Sequence, residues 1–225
     1  MLDYVAAIRF TLVALSSVFF VVDPFATIPS FLAMTESHSE ERRRKMARQA
    51  GWTCFFVLAI FALAGSIIFK IFGITLPAFK IAGGLLMFLV AFEMLEAKRS
   101  GIQESTEERL EGAQKEEIGV TPLGIPMLAG PGSISTVMVL MGQSTVWWQA
   151  VPVFAAIIVT AAASAAILSG ASRVRGVLGE TGIRILMRLM GLVLTAIAVQ
   201  FVINGLTDLG VIPSTNPAAS PQIRG

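Results

Sequence analysis

An aspartate and a proline interrupt an otherwise apolar run near the N-terminus, in the stretch FFVVDPFATIP. Asp23 suits the N-cap position of a helix, where its carboxylate accepts bonds from free amides, and Pro24 suits the first helical position. Because proline also bars the preceding residue from helical geometry, the pair predicts one helix ending near Val22 and another beginning at Pro24. A carboxylate at such a break, with the hydroxyl of Thr27 one turn later, could bind an ammonium group, a sodium ion or a proton.

The stretch AGPGSIS in the second half of the chain repeats this arrangement without the acid. Gly130 takes the N-cap position and Pro131 the first helical position. The amides of residues 132–134 are expected to lack partners within their own half-helix and to lie at its positive end, so they suit a carboxylate. Ser133 and Ser135 add neutral hydroxyl groups.

Both breaks are predicted at the middle depth of a membrane. Asp23 lies 13 residues from Phe10, at the start of its apolar run, and Pro131 lies 11 residues from Val120, near the inner end of its own, which is about 20 Å and about 17 Å of helix. Irregular backbone at this depth must be buried in protein or line a wet cavity. An anion at one break and free amides at the other would bind a small zwitterion with a neutral side chain; the alternative is that Asp23 only caps its half-helix. The predicted substrate-binding residues are Asp23, Pro24, Thr27, Gly130, Pro131, Gly132, Ser133 and Ser135.

The composition is that of an integral membrane protein. Hydrophobic residues make up 55% of the 225 residues and charged residues 14%, with a mean hydropathy of +0.76, whereas soluble domains carry about 25% charged residues. Six apolar runs have about the 20 residues needed to cross ~30 Å of hydrocarbon. They cover residues 10–34, 50–69, 76–92, 118–141, 150–170 and 189–206. The sequence therefore predicts an all-α membrane protein with six transmembrane helices, of which helices 1 and 4 are broken.

An internal repeat relates the two halves of the chain. GITLPAFKIAGGLL and GIRILMRLMGLVL share a glycine-isoleucine start, and the basic residue and the glycine that follow it match at an offset of 108. Pro24 matches Pro131 at an offset of 107. Each half contains three predicted spans, so the second half must cross the membrane in the opposite sense, as in the inverted repeats of secondary transporters. The alternative is chance similarity of glycine-rich segments. The prediction is a three-helix repeat at 1–96, a cytoplasmic linker at 97–119, an inverted repeat at 120–208 and a disordered tail at 209–225.

The distribution of basic residues predicts the orientation. The first, third and fifth loops between the predicted spans hold 13 of the 17 lysines and arginines. By the positive-inside rule these loops are cytoplasmic, and both termini lie outside.

Other polar residues in the spans are expected to have structural roles. Lys80 and Arg188 are expected to anchor their helices at opposite interfaces, and Glu93 to be solvated at the inner rim. Gln200 and Asn204, which lie one turn apart, are expected to form interhelical hydrogen bonds.

The chain resembles the MarC family of integral membrane proteins across all six predicted spans. The stretches that carry the resemblance are DPFATIP, FGITLPAFKIAGGLL, PLGIPMLAGPGSIST and RLMGLVLTAIAVQFVINGL. The family is similar to SnatA-type transporters of small neutral amino acids and, more distantly, to LysE-like exporters, and the resemblance implies a multi-pass protein of the bacterial inner membrane. Where many relatives have Asp-Pro-x-Gly-Asn-x-Pro, this chain has Ala26 and Thr27, so a hydroxyl stands in the place of a side-chain amide.

These features favour a secondary transporter of a small neutral solute, expected to be a neutral amino acid, by alternating access between the repeats. No cofactor is expected beyond a coupling Na⁺ or H⁺. The expected partners are the lipid bilayer and a small zwitterionic solute, with a homo-oligomer left open; nucleic acid is not expected, because acidic and basic residues alternate in the loops.

Three other functions are weighed against transport. The main alternative is a non-transporting membrane protein that acts as a partner or scaffold in envelope physiology. An enzyme is not expected, because no Ser/His, paired-aspartate or HExxH arrangement lies within the predicted spans. A channel is disfavoured because the spans contain no recognisable filter.

Overall fold

The computed structural model describes residues 4–96, 118–144 and 147–213, and these ranges fold into helices joined by short turns. The α-helices of the described residues are α1 (Tyr4–Val22), α2 (Pro24–Met34), α3 (Glu40–Phe72), α4 (Leu76–Leu95), α5 (Pro131–Gln143), α6 (Ala150–Ser169) and α7 (Ala171–Asp208). A π-helical turn (Leu123–Leu128) precedes α5, and a 3₁₀ turn (Trp147–Gln149) precedes α6. The predicted linker is described only at Ile118 and Gly119, and the predicted tail only as far as Pro213.

Five helical segments of the described residues are long and apolar enough to cross a membrane. They are Ala7–Met34, which joins α1 and α2, and Glu40–Phe72, Leu76–Leu95, Ala150–Ser169 and Thr181–Asp208. The predicted span at 118–141 is instead divided between the π-helical turn of 6 residues and α5 of 13 residues. Neither piece alone reaches the ~20 residues that a single crossing needs.

Two helices begin earlier than hydrophobicity alone predicts, so the predicted first and fifth loops are largely helical. α3 begins at Glu40 because the hydroxyl of Ser39 accepts a 3.4 Å hydrogen bond from the amide of Arg42, and Glu40 and Glu41 lie in its first turn. The basic residues 42–48 therefore belong to α3. α7 begins at Ala171 and changes direction at Gly179, whose φ of 64° a side chain would strain.

Arg43 connects the turn after α2 to the start of α7. Its guanidinium donates to the carbonyl oxygens of Thr35 and Glu36, each at 2.8 Å, and to the hydroxyl of Ser172 at 3.3 Å. The predicted first and fifth loops therefore lie on the same side of the bundle.

Six exposed apolar residues of α3 form one stripe at helical spacing. They are Trp52, Phe56, Ile60, Leu63, Ile67 and Ile71. The opposite face, with Cys54, Leu58 and Ala62, is buried. A helix with apolar residues on both faces, one buried and one exposed, is expected where the outer face contacts lipid instead of water.

Glycines allow α4 and α7 to pack closely. A Cβ at Gly84 would lie 2.7 Å from Cγ2 of Val202 and 2.8 Å from the carbonyl oxygen of Ala198, and a Cβ at Gly191 would lie 2.9 Å from Cβ of Met94. Early residues of α4 meet late residues of α7, so the two helices are antiparallel. Small residues at such contacts are typical of membrane helices, which associate through close packing.

The two halves of the chain pack into one another. α1 and α2 pack against α6, and α2 also packs against α7. The π-helical turn and α5 pack against α3, and α5 also packs against α4, while α3 pairs with α6 and α4 with α7. The interrupted segment of each half is thus surrounded by helices of both halves, which places both interruptions in the interior.

Candidate functional site

The first predicted break is present at Asp23. α1 ends at Val22, Asp23 adopts a left-handed conformation with φ 42° and ψ 71°, and α2 begins at Pro24. Oδ1 of Asp23 accepts a 3.1 Å hydrogen bond from the amide of Ala26, so the carboxylate caps α2. Oδ2 is buried and has no hydrogen-bond partner among the described residues. Capping therefore uses one carboxylate oxygen and leaves the other for a cation or a proton.

The second predicted break is present at Gly130, which is extended with φ −83° and ψ 175°, and α5 begins at Pro131. The amide of Ile134 donates to the carbonyl oxygen of Gly130 at 3.0 Å, so the expectation that this amide is free is wrong; it forms the first bond of the helix. Gly130 has no side chain, so the amides of Gly132 and Ser133 receive no cap from it. These two amides are the donors at the positive end of α5.

The two breaks are close together. A Cβ at Gly132 would lie 3.4 Å from Cγ1 of Val21, two residues before Asp23, and 2.9 Å from Cγ of Met87 on α4. The hydroxyl of Thr136 also contacts the sulfur of Met87, at 3.8 Å. The side chains of Val21 and Met87 therefore occupy the space beside the start of α5.

The predicted hydroxyl groups fall into two sets. Thr27 donates to the carbonyl oxygen of Asp23 at 3.4 Å, and Ser133 donates to the carbonyl oxygen of Leu128 at 2.7 Å. Both are buried at the breaks. Ser135 is different: a Cβ at Gly83 would lie 2.8 Å from Cβ of Ser135, so this serine lies in the contact between α4 and α5.

The roles predicted for Lys80 and for the pair Gln200 and Asn204 are wrong. Lys80 is only 5% exposed, and its ammonium group donates to the carboxylate of Asp208. It is buried because the end of α7 supplies a counterion within the protein, which removes the need to reach the interface. Gln200 donates to the side-chain oxygen of Asn204 at 2.8 Å, so the two amides pair within α7 because they share one face at a spacing of one turn.

Glu93, which was expected to be solvated, is half-buried. Its Oε2 is buried and has no hydrogen-bond partner among the described residues. Within those residues no cluster of three or more histidine, cysteine, aspartate or glutamate side chains could hold a metal ion. Oδ2 of Asp23 and Oε2 of Glu93 are thus two buried carboxylate oxygens that lack a hydrogen-bond partner among the described residues.

A cavity of about 200 Å³ lies beside the ion pair, between α1, α4, α5 and α7. Its polar lining consists of Ser17, Lys80, Gln143, Gln200 and Asn204. Sequence reasoning missed this site because it treated each of these polar residues separately; the available signal was that several of them recur at the same ends of their spans.

The cavity lies on one side of the two breaks. Ser17 precedes Asp23 by six residues on α1, and Val139, which also lines the cavity, follows Gly132 by seven residues on α5. These separations correspond to about 9 Å and about 11 Å of helix. The layer between the cavity and the breaks contains the contact of Ser135 with Gly83.

The spanning helices and the paired internal breaks define a multi-pass integral membrane protein. The sequence profile of the MarC family of integral membrane proteins matches residues 8–209, which include every helix that spans the bundle and both breaks. The chain belongs to this family, and the resemblance noted in its sequence is confirmed.

Relatives align over most of their own length. A UPF0056 membrane protein of Methanocaldococcus jannaschii is 40% identical over 200 residues, which is 88% of this chain and 97% of that protein. One of Aquifex aeolicus is 36% identical over 196 residues, which is 87% of this chain and 92% of that protein. The UPF0056 membrane protein YhcE of Escherichia coli is 33% identical over 195 residues, covering 87% and 90%. No solved structure matches the chain.

Proposed function

We propose that this protein is a secondary transporter of a small neutral solute, specifically a neutral amino acid, and that it works by alternating access between two inverted three-helix repeats. The observation that carries the proposal is the meeting of two helix breaks inside the bundle. One break offers a buried carboxylate oxygen without a partner, and the other offers uncapped amides. Irregular backbone inside a membrane protein is favoured where it binds a ligand or lines a pathway.

The groups at the two breaks suit the two ends of a zwitterion. Oδ2 of Asp23 would bind the ammonium group, or a coupling Na⁺ or H⁺, while the amides of Gly132 and Ser133 would bind the carboxylate. Val21 and Met87, which lie beside the start of α5, are apolar, which suits a solute with a small uncharged side chain. Both side chains must move aside for the solute to bind.

The packing of the helices supports the inverted repeat. At the offset of 107–108, α1 and α2 correspond to the π-helical turn and α5, α3 corresponds to α6, and α4 to α7. Under this correspondence, the contact between α2 and α7 is equivalent to the contact between α5 and α4. The contact between α1 and α6 is likewise equivalent to the contact between the π-helical turn and α3. The pairs α3–α6 and α4–α7 each map onto themselves. On this basis, the divided segment that ends in α5 is the sixth crossing.

The cavity beside Lys80 and Asp208 is the proposed outer entrance. Its amide and hydroxyl groups supply both donors and acceptors, and its ion pair is neutral overall, so it suits a polar solute without net charge. In this orientation the termini lie outside, the turn after α2 faces the cytoplasm, and the protein resides in the inner membrane of a bacterial cell.

Transport into proteoliposomes tests the proposal, with a panel of neutral amino acids and with proton or sodium gradients. Asp23→Asn is the central variant, because asparagine is an equally good N-cap and tolerates left-handed geometry, so only the charge is lost. Gly132→Leu places a large side chain against Val21 and Met87, beside the start of α5. A hydrogen bond to a charged group contributes about 1.5–3 kcal/mol, so Asp23→Asn is expected to reduce uptake by about tenfold or more. Gly132→Leu is expected to reduce uptake because its side chain would obstruct the solute.

Gly176→Ala is the matched control, because a Cβ there meets nothing within 4 Å; its uptake should equal that of the wild type. If the wild type moves no solute above empty vesicles under any gradient, the transporter proposal fails, and a non-transporting partner or scaffold is favoured. If Asp23→Asn transports normally, the role given to this carboxylate is wrong.

A further inference from the structure

A groove between α3 and α6, on the surface of the helix bundle, has a basic residue at one end. Its volume is about 360 Å³. Trp52 and Phe55 of α3 form one wall, alanines and an isoleucine of α6 form the other, and Arg48 is the charged residue of its lining. Arg48 precedes Trp52 by one helical turn, so the charge lies at the end of the groove nearest the start of α3.

The groove exists because α3 and α6 approach closely at small residues. A Cβ at Gly51 would lie 2.8 Å from the carbonyl oxygen of Ala161 and 2.9 Å from Cβ of Ala165. The small side chains leave a concave surface beside the much larger Trp52, which is 62% exposed. An apolar concave surface on a membrane protein is a place where an acyl chain can pack.

The depth of the groove matches that of a lipid chain. Arg48 and Lys70 are 22 residues apart on α3, which is about 33 Å and close to the ~30 Å of the hydrocarbon core. Arg48 is therefore at the level of the headgroups on one side, and Trp52 and Phe55 lie about 6 Å and about 10 Å deeper. The tryptophan is at the depth where such residues are enriched.

A second, polar pocket of about 460 Å³ lies at the same level and is also lined by Arg48. Arg42 and Lys45 add two more basic side chains to it, and Glu41 one acidic side chain, together with Ser39. The lining is net positive. Arg48 thus lines both an apolar groove in the membrane and a basic pocket at the headgroup level.

We propose that these two pockets form one binding site for an anionic phospholipid, with an acyl chain in the groove and the phosphate at Arg48. The guanidinium matches the phosphate through paired donors, and the part of the headgroup beyond the phosphate faces the basic pocket. A zwitterionic phospholipid offers the same chain, but its headgroup brings a cation towards the basic side chains, so it binds less well. This site does not depend on the proposed transport activity.

Quenching of Trp52 by brominated lipids tests the site. Trp147→Phe and Trp148→Phe leave Trp52 as the single tryptophan of the three. The protein is reconstituted into phosphatidylcholine vesicles that contain phosphatidylglycerol, with bromine on the chains of one lipid or of the other. Phosphatidylglycerol is expected to be preferred at Trp52 by about fivefold, as one basic residue at a membrane surface provides.

Arg48→Gln is expected to abolish the preference, so that the ratio of the two lipids at Trp52 falls to about one, because Arg48 lines both the groove and the basic pocket. Arg44→Gln is the matched control, because Arg44 lies one turn earlier and pairs with Glu40 at 3.4 Å; it should keep the preference. The proposal is overturned if brominated phosphatidylglycerol and phosphatidylcholine quench the wild type equally, or if the preference survives Arg48→Gln. It is also overturned if Arg44→Gln loses the preference as fully, which would indicate a general surface-charge effect.

A second pair of variants tests the groove itself. Ala162→Phe places a ring in the groove and is expected to reduce quenching by both brominated lipids. Ala166→Phe, one turn away on an exposed position outside the lining, should leave quenching unchanged. Equal quenching in these two variants would contradict the placement of the chain. An unchanged emission maximum in detergent checks that each variant is folded.

Discussion

The carboxylate of Asp23 has two oxygens in different surroundings. Oδ1 accepts the amide of Ala26 at the start of α2, while Oδ2 is buried and unpaired among the described residues. The sequence offered capping and ligand binding as alternatives, but the geometry makes them compatible, because they require different atoms. Capping is observed, and binding at Oδ2 is the part that the transport experiment tests.

The cap itself can be tested apart from transport. Asp23→Ala removes the acceptor for the Ala26 amide and leaves a left-handed residue without a polar side chain, whereas Asp23→Asn keeps both features. We expect the alanine variant to be less stable than the asparagine variant by about 1 kcal/mol, measured by thermal unfolding in detergent. Equal unfolding temperatures for the two variants would mean that the cap contributes no stability.

Local chemistry explains which residues could be predicted from the sequence. Asp-Pro and Gly-Pro pairs determine a break through the geometry of neighbouring residues, so both breaks were predictable. The pairing of Lys80 with Asp208 spans 128 positions of sequence, and it depends on how α4 and α7 are aligned. The sequence alone does not determine that alignment, so it predicted a position at the interface for Lys80.

At the scale of the elements, glycines determine how closely α4 and α7 approach. A side chain at Gly84 would collide with the backbone of α7 at Ala198 as well as with Val202. Backbone atoms of a helix cannot rotate away as a side chain can, so the helices would have to separate. The close contact between the halves therefore depends on a missing side chain.

Gly84→Ala is expected to destabilise the protein by about 1–3 kcal/mol, the usual range for overpacking. Gly176→Ala is the comparison on α7: a Cβ meets nothing there, and alanine favours a helix over glycine by about 0.5–1 kcal/mol. The unfolding temperature of Gly84→Ala should be lower than that of the wild type, and the unfolding temperature of Gly176→Ala should be higher. A Gly84→Ala variant as stable as Gly176→Ala would contradict the close packing.

The ends of the elements were predicted less well than their existence. Hydrophobicity determined the predicted start of the second span, but α3 begins ten residues earlier, at Glu40. The signal for this start was present as Ser39 followed by two glutamates, a capping sequence on a polar segment. A run counted only by its apolar residues omits the part of a helix that extends beyond the membrane.

At the scale of the whole molecule, the cavity beside Lys80 lies on one side of the two interrupted segments. Gln200 and Asn204 line this cavity. Val199, which precedes Gln200 in sequence, is 42% exposed on the surface of the bundle. Water is expected in the polar cavity and lipid at Val199. The two positions therefore differ in access to a water-soluble reagent even though they are close on the same helix.

Cysteine labelling tests both this cavity and the orientation. Cys54 is the single cysteine and is fully buried, so Cys54→Ala provides the background. A membrane-impermeant maleimide added outside intact cells or spheroplasts is expected to label Asn204→Cys but not Val199→Cys. Glu41→Cys should be labelled only after the membrane is opened.

Two results would contradict this picture. Labelling of Glu41→Cys in intact cells would show that the turn after α2 lies outside, opposite to the proposed orientation. Equal labelling of Val199→Cys and Asn204→Cys would mean that the cavity gives water no special access.

The bonds of Arg43 have a mechanical consequence. Two of them, to the carbonyl oxygens of Thr35 and Glu36, join parts of the chain that are close in sequence, while the third, to Ser172, crosses to the second half and is the longest. If the halves rock against each other, the Ser172 bond is the one that opens, and the guanidinium stays with the turn after α2. Arg43 would then let the second half move while it keeps the turn after α2 fixed to the start of α3.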